Sequence, residues 1–459
     1  MNQDNGGIIG KLNTPTTTVA SGVWTLQDQF EAQSSSIWPL TFPRTTFTNS
    51  CRYDDGSNDY LEKAQTGSNG NQKTWTISMW IKRSTLGTSQ FLFSFGENAS
   101  SDGKMYFDAD DFLVLTNDGQ NGSSNETDMK FRDTSAWYHI IWACDVTQSD
   151  NADRWKVYVN GNQITLTGTV SISNADGIVN RWNGFDNWIG AAARSQQGSE
   201  GVQSFDGYIT EVIFIDGQQL SPTDLGAFNP VTNIWEPIAY TGTYGTNGYK
   251  LNFADSSALG DDTSGNGNDF TANNLTSIDQ STDTCSNNFA TLNPLVTLSG
   301  GTLSEANLKY NYGSNGWRSS FSTIGANKGK WYCEVKFDSG TNLVVGIVDE
   351  DGYSRNSGNF LADSTFNYSH GYGYFAGDGH GNSTGKDGQG TDVTYGDTFA
   401  AGDIIGIAMD LDNGKLYFSK NGTFQNSGVP TSGSTGTGSV YNITNSTTLN
   451  YFFGVSPYN

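Results

Sequence analysis

The chain has 459 residues, with 47 acidic against 24 basic side chains and a formal charge of −23. Such a surface excludes a broad nucleic-acid or anionic-membrane interface, whose affinity comes from Lys and Arg. With 13% aromatic and only 15% charged residues, 56 Gly and 9 Pro, the composition is that of many short strands joined by polar, Gly-rich turns rather than of a disordered chain. The length suffices for two or three domains with cores of their own.

Residues 1–37 read differently from everything after them. The opening MNQDNGGIIGKLNTPTTT has neither the basic nor the apolar stretch of a signal peptide. In SGVWTLQDQFEAQ, Ser21 is an N-cap and Val23, Leu26 and Phe30 follow at helical spacing, with Trp24 beside them. One short helix is not stable alone, so Val23, Trp24, Leu26 and Phe30 are expected to dock the segment on another surface.

From 38 to 233, strand patterns recur: TWTISMWIKRS, SQFLFSFG, AWYHIIWACDV, RWKVYVNGNQITL and SFDGYITEVIFIDG. Asn160-Gly161 separates two alternating runs and marks a hairpin. The stretch 234–289, rich in Asn, Ser, Thr and Asp, reads as a connector, and a second β region runs from 290 to 459. Within it, MDLDNGKLYFSKNGTF holds two more Asn-Gly pairs, and Asn413-Gly414 is expected to close a hairpin through a type I′ turn. No apolar run approaches the roughly 18 residues of a membrane-spanning helix. The expected fold is all-β: two antiparallel sandwiches behind a short helical segment.

The order of FTNSCRYDDGSNDYLEK, WTISMWIKRS, WYHIIWACDV, DRWKVYVNGNQI and FDGYITEVIFIDGQQLSPTDL resembles the laminin-G-like, concanavalin-A-like jelly-roll family. The resemblance implies a sandwich used for binding, often of glycans, sometimes with calcium at its rim. GKWYCEVKF, LVVGIVDED, HGYGYFAGDG, GDIIGIAMDLDNGKLYFSKNG and YFFGVSPYN together resemble a SPRY domain, another sandwich, whose edge loops grip a protein or other ligand. The SPRY resemblance implies a closing strand after YFFGVSPYN, either supplied from elsewhere, for instance by a neighbouring subunit, or lying past the end of the given sequence. The leader joined to these two modules resembles structural proteins of marine bacteriophages, such as tail fibres and other appendages.

The residues offer little for catalysis. A retaining glycosidase on such a sandwich needs two carboxylates about 5 Å apart on one face. Glu211 and Asp216 are an odd number apart and face opposite sides of a regular strand, while Asp349, Glu350 and Asp351 cluster at a turn. Of the three histidines, His139 sits in a strand pattern as a packed residue, and His370 and His380 have no neighbouring metal-ligand pattern. Cys51, Cys144, Cys285 and Cys333 lie far apart; Cys144 and Cys333 read as buried free thiols, and no zinc site is indicated. No cofactor is expected. The acidic loops offer calcium ligands at Asp54, Asp55, Asp108, Asp110 and Asp111, against the plain alternative that Asp favours turns without an ion.

The reading is therefore a non-enzymatic phage virion protein. It would be made in the host cytoplasm, docked on other virion proteins by residues 1–37, and used for adhesion to host-surface glycan or protein, with no nucleic-acid partner and no membrane insertion. Trp317, Arg318, Tyr353, Arg355, Tyr372 and His380 are the expected ligand contacts. Symmetric homo-oligomerisation is expected of a fibre-like appendage, although no heptad or collagen repeat specifies it. The rivals are a purely structural capsid-decorating or tail-assembly component and, behind it, a polysaccharide depolymerase.

Overall fold

The computed structural model describes residues 45–458 apart from 65–69, 97–101, 117–124, 168–185, 193–202, 230–231, 298–299, 315, 356–370, 377–383, 387–391 and 444–447. The leader, with Val23, Trp24, Leu26 and Phe30, lies outside the described residues, as do His370 and His380.

The first lobe is two antiparallel sheets packed face to face. One runs in the order Asn162–Gln163, Trp155–Val159, Tyr138–Asp145, Thr74–Arg83, Gly207–Asp216, Ser50–Tyr53, Gln280–Ser281, with Tyr249–Leu251 also paired to Gly207–Asp216. The other runs Thr271–Asn273, Tyr60–Lys63, Asp186–Ile189, Gln90–Gly96, Asp102–Phe107, Phe112–Thr116, Asn125–Lys130. Side-chain alternation explains the central strand. Trp75, Ile77, Met79 and Ile81 enter the core between the sheets, where Trp142 meets Trp75 and Trp155 edge-on at 4.8 and 4.9 Å. Ser78, Trp80 and Lys82 take the opposite face and are buried as well, because later parts of the chain cover it.

That outer face carries its own aromatic cluster of Phe47, Trp80, Trp137, Tyr208, Trp235 and Ala306. His139 lies inside it, stacked on Trp80 at 4.4 Å, accepting from Trp235 Nε1 at 2.9 Å and bonded through Nε2 to Ser78 Oγ at 2.8 Å. Burial holds it neutral and lowers its pKa to about 3.

The stretch 234–289 reads as a connector in the sequence, but the structure builds it into the first lobe. Its strands pair at Val212–Leu251, Thr271–Glu62 and Ser50–Ser281, and Tyr249, Leu251, Phe253, Leu259, Phe270 and Leu275 enter the core. The chain then crosses to the second lobe and returns. Lys82, buried on the outer face, donates to Asp283 Oδ2 at 2.9 Å, Asn288 Oδ1 at 2.9 Å and the Phe289 carbonyl at 2.5 Å. Asn293 N donates to the Phe321 carbonyl of the second lobe. Glu305, Ala306 and Asn307, all with positive φ, then press back on the first lobe: Tyr208 donates to the Ala306 carbonyl and Asn307 to that of Ser84. Left-handed backbone at three consecutive non-glycine residues costs free energy, and the turn is held by the burial of Ala306 together with the hydrogen bonds of Tyr208 and Asn307.

The second lobe packs a sheet in the order Ser320–Ala326, Tyr451–Tyr458, Asn342–Asp349, Gly371–Phe375, Thr384–Lys386, Asp392–Thr394 on one in the order Lys330–Lys336, Ile404–Asp410, Lys415–Lys420, Thr423–Phe424, with Tyr441–Asn442 on the third of these. Tyr451–Tyr458, taken from the sequence as the strand before a missing partner, is flanked on both sides, by Ser320–Ala326 and by Asn342–Asp349. Asn413-Gly414 does close a hairpin, but Asp410 pairs with Lys415, so the loop has four residues and only Gly414 of the pair has positive φ, at 62°. The two-residue turns with both φ positive are Asn421-Gly422 and Asn160-Gly161. The difference arises because Asp410 Oδ1 accepts from Asn413 N and closes the wider turn.

Two outcomes follow. Leu251→Ala, in the stretch that reads as a connector, is expected to cost about 2–5 kcal/mol in denaturant unfolding, whereas a true linker position would cost almost nothing. His139 binds its proton more weakly folded than at its ordinary 6.5, so it contributes stability above that pH and loses it as pH falls toward 3, by at most about 1.4 kcal/mol per pH unit. Unfolding measured from pH 7 to 4 should show a shallower acid loss in His139→Gln than in the parent; equal slopes would contradict it.

Candidate functional site

The structure gives packing duties to most of the residues the sequence offers for ligand contact. Tyr372 is buried in the second core. Trp317 and Tyr353 are half-buried on the outer face of the six-stranded sheet over Val344, Val348 and Phe375. Tyr353 stacks on Phe452 at 4.0 Å and accepts from Asn293 Nδ2 at 2.7 Å. Arg318 donates to the Trp317 carbonyl at 2.8 Å and lies 5.5 Å from the Tyr312 ring centre. Arg355 ends the helix Glu350–Arg355, its side chain outside the described residues, as is His380. The four described side chains therefore stabilise the lobe instead of lining one site.

Aromatic surface is presented elsewhere. On Lys330–Lys336, Trp331 and Tyr332 are 47% and 51% exposed. Neighbours on a strand face opposite sides, so both are open only because this is an edge strand, paired among the described residues to Ile404–Asp410 alone. Both rings are held in place. Trp331 Nε1 donates to the Lys328 carbonyl at 2.7 Å, and Tyr332 donates to Glu334 Oε1 at 2.8 Å. Tyr332 lies across Gly406, where an added Cβ would come within 2.4 Å of its hydroxyl oxygen. On the face of Tyr332, Glu334, Lys336 and Ile404 are exposed, so its ring stands among hydrogen-bonding groups, while Trp331 lies on the other side of the strand, in phase with Cys333 and Val335. The sequence carried the signal in GKWYCEV: two adjacent large aromatics in a strand cannot both enter one core.

The acidic residues divide. Asp111 pairs with Arg83 at 3.1 Å and Arg132 at 3.3 Å, and Asp108 Oδ1 accepts from the Asp110 and Phe112 amides, so this group builds a turn and an arginine anchor, not a cation cage. Asp54 and Asp55 instead meet Asp206, with one oxygen from each within 4.8 Å of the others. Burial first, then Asp55 and Asp54, push the Asp206 carboxyl up to about 7.

The carboxylates weighed for acid–base work have other partners. Gly207–Asp216 is not regular: a bulge between Thr210 and Ile213 puts Glu211 at φ 52°, where it pairs with Lys250 at 2.8 Å, and burial raises its pKa. Asp216 accepts from the amides of Asn71 and Asn247. Asp349 Oδ1 accepts from Gly352 N at the start of the short helix, and Glu350 accepts from Asn450. All four cysteines are free; Cys51 and Cys144 are buried, Cys285 and Cys333 half-buried.

Two family models match. The laminin-G model of the concanavalin A-like lectin/glucanases superfamily covers residues 55–225, and the SPRY domain model covers 330–445. The chain carries a laminin-G-like domain followed by a SPRY domain. In the laminin-G-like domain the strands Tyr249–Leu251, Thr271–Asn273 and Gln280–Ser281 lie beyond the matched residues, and in the SPRY domain so does Tyr451–Tyr458. Among solved structures the chain is similar to a native heptameric SAP-like pentraxin from Limulus polyphemus, at 17% identity and TM-score 0.29, over 39% of this chain and 80% of that one. It is similar to the SPRY domain of human HERC1 at 16% and 0.23, over 33% and 80%. It is also similar to domains LG4-5 of the mouse laminin α1 chain at 10% and 0.30, over 90% and 82%.

Proposed function

We propose that the protein is a non-catalytic recognition component of a bacteriophage particle, an appendage protein that holds host-surface glycan through the edge of its SPRY domain. The observation that carries the binding role is the pinned, half-exposed Trp331–Tyr332 pair on an open edge strand. Aromatic faces stack on the apolar faces of sugar rings, and Glu334 and Lys336 on the face of Tyr332 supply directional hydrogen bonds. Rings fixed by Lys328, Glu334 and Gly406 lose little freedom on binding, which favours affinity. The superfamily of the laminin-G-like domain includes lectins, which supports a glycan as ligand. The placement on a virion rests on the resemblance of the leader and module order to phage structural proteins, with residues 1–37 as the docking segment and repeated copies supplying avidity.

The polysaccharide depolymerase reading is disfavoured because Glu211, Asp216, Asp349 and Glu350 serve the fold. The test is retention of the full chain by bacterial cells and by arrayed surface polysaccharides. The double variant Trp331→Ala, Tyr332→Ala should lose about tenfold or more in affinity, as loss of a central aromatic anchor does, with an unchanged melting temperature. Undiminished binding by the variant would overturn the site, release of reducing ends would restore the enzyme reading, and absence of retention would leave the scaffold role.

A further inference from the structure

The outer face of the first lobe brings to one lysine more than a counter-ion. Side-chain alternation along Thr74–Arg83 turns Lys82 away from the core between the sheets, and the returning chain covers it, so that its side chain is 1% exposed. Nζ lies 2.9 Å from Asp283 Oδ2, 2.9 Å from Asn288 Oδ1 and 2.5 Å from the Phe289 carbonyl. A buried amine, a carboxylate and a carboxamide thus meet at a single nitrogen atom.

Each partner is held in place. The Ser50 hydroxyl donates to the Asp283 carbonyl at 2.6 Å, while Trp137 Nε1 and Phe289 N donate to Asp283 Oδ1 at 3.1 and 3.2 Å, which leaves Oδ2 for Lys82. Asn288 Nδ2 donates to the Ser135 carbonyl at 2.8 Å, so the amide turns its oxygen to the lysine and its nitrogen away from it. With a C=O bond of about 1.23 Å, an amine 2.9 Å from Oδ1 is at most about 4.1 Å from Cγ. Around the group stand Phe47, Trp80, Trp137 and Tyr208. Burial among them lowers the Lys82 pKa against the opposing pull of Asp283, which brings the free amine nearer to reach. The same contacts would serve a plain ion pair, and a measurement of mass separates the two.

We propose that Lys82 and Asn288 join in an intramolecular isopeptide bond, with Asp283 carrying the protons, which ties the central strand of the first lobe covalently to the segment that crosses to the second. Asp283 Oδ2 takes a proton from the ammonium, and the freed Nζ lone pair attacks Asn288 Cγ. The Nζ–Cγ bond forms and the Cγ–Nδ2 bond breaks. Two protons pass from Nζ by way of Asp283 to Nδ2, which departs as ammonium, so the positive charge leaves with it and Asp283 ends as a carboxylate. No oxidant or cofactor is needed. An amide does not react with a free amine in dilute solution, but well-oriented intramolecular groups reach effective molarities of about 10⁵–10⁸ M. A desolvated lysine is suited to the attack, and Asn288 is exposed, which gives the leaving nitrogen a path to solvent. The ion pair of this structure is the reactant state. The bond is independent of the glycan surface on the other domain, and either can fail alone.

The test is the intact mass of the full chain, held folded at neutral pH and then denatured. The parent is expected to weigh one ammonia less than its sequence requires, and its digest to contain a branched peptide joining Lys82 to Asn288. Asn288→Ala, at an exposed position that spares the fold, should show the full mass of its own sequence and a lower melting temperature, since the bond closes a long loop. Asp283→Ala should also keep its ammonia; a folded Asp283→Ala variant that still loses it would remove Asp283 from the reaction. A parent of full mass, a gain in mass marking hydrolysis of Asn288 to aspartate, or an ammonia loss that survives Asn288→Ala would overturn the bond.

Discussion

A buried ammonium group organises this molecule. Lys82 ends the outward-facing row of the central strand of the first lobe, fully covered, and its charge must be met there by acceptors. Asp283, Asn288 and the Phe289 carbonyl meet it, and Trp137 Nε1 donates to the other oxygen of Asp283. Burial lowers the Lys82 pKa and Asp283 opposes that fall, as a compensated internal ion pair requires. Once 283–289 is fixed on the sheet, Asn293 reaches the second lobe, and the left-handed turn at 305–307 comes back to cover Tyr208.

This seam bears on recognition. Two sandwiches on a loose tether would sample many relative orientations, each contact adding an ordering cost. Here the chain passes between the lobes more than once, and Arg52 pairs with both Asp279 and Glu305, tying the edge of the first lobe to the returning turn. The aromatic edge at Trp331 and Tyr332 and the acidic rim at Asp206 then belong to a joined body.

The sheets were legible because burial on a pleated strand leaves a period of two, as in Trp75, Ile77, Met79 and Ile81. The covering of the first lobe was not. In 234–289 the core residues are scattered through polar text: Tyr249 and Leu251 on a three-residue strand too short for a pattern, and Phe253, Leu259, Phe270 and Leu275 outside any strand. The polar residues that suggested a linker are structural: Asn266 and Asn268 donate to the Gly248 carbonyl, and Asp262 accepts from Lys250 N, Ser264 N and Asn268 N. The bulge at Glu211 was equally hidden, since nothing local marks a glutamate for positive φ. Of the sites, Asp54 and Asp55 were readable as loop acids, but their meeting with Asp206 depends on strand pairing. Sequence does not separate a ring that packs, such as Tyr372, from one that protrudes unless the strand is known to lie at an edge.

The most direct measurement on the seam is Lys82→Met, followed by denaturant unfolding and limited proteolysis. Leaving Asp283 buried and uncompensated should cost about 3–5 kcal/mol and make 283–307 the first region cleaved. A variant as stable as the parent, with 283–307 still resistant, would contradict the account.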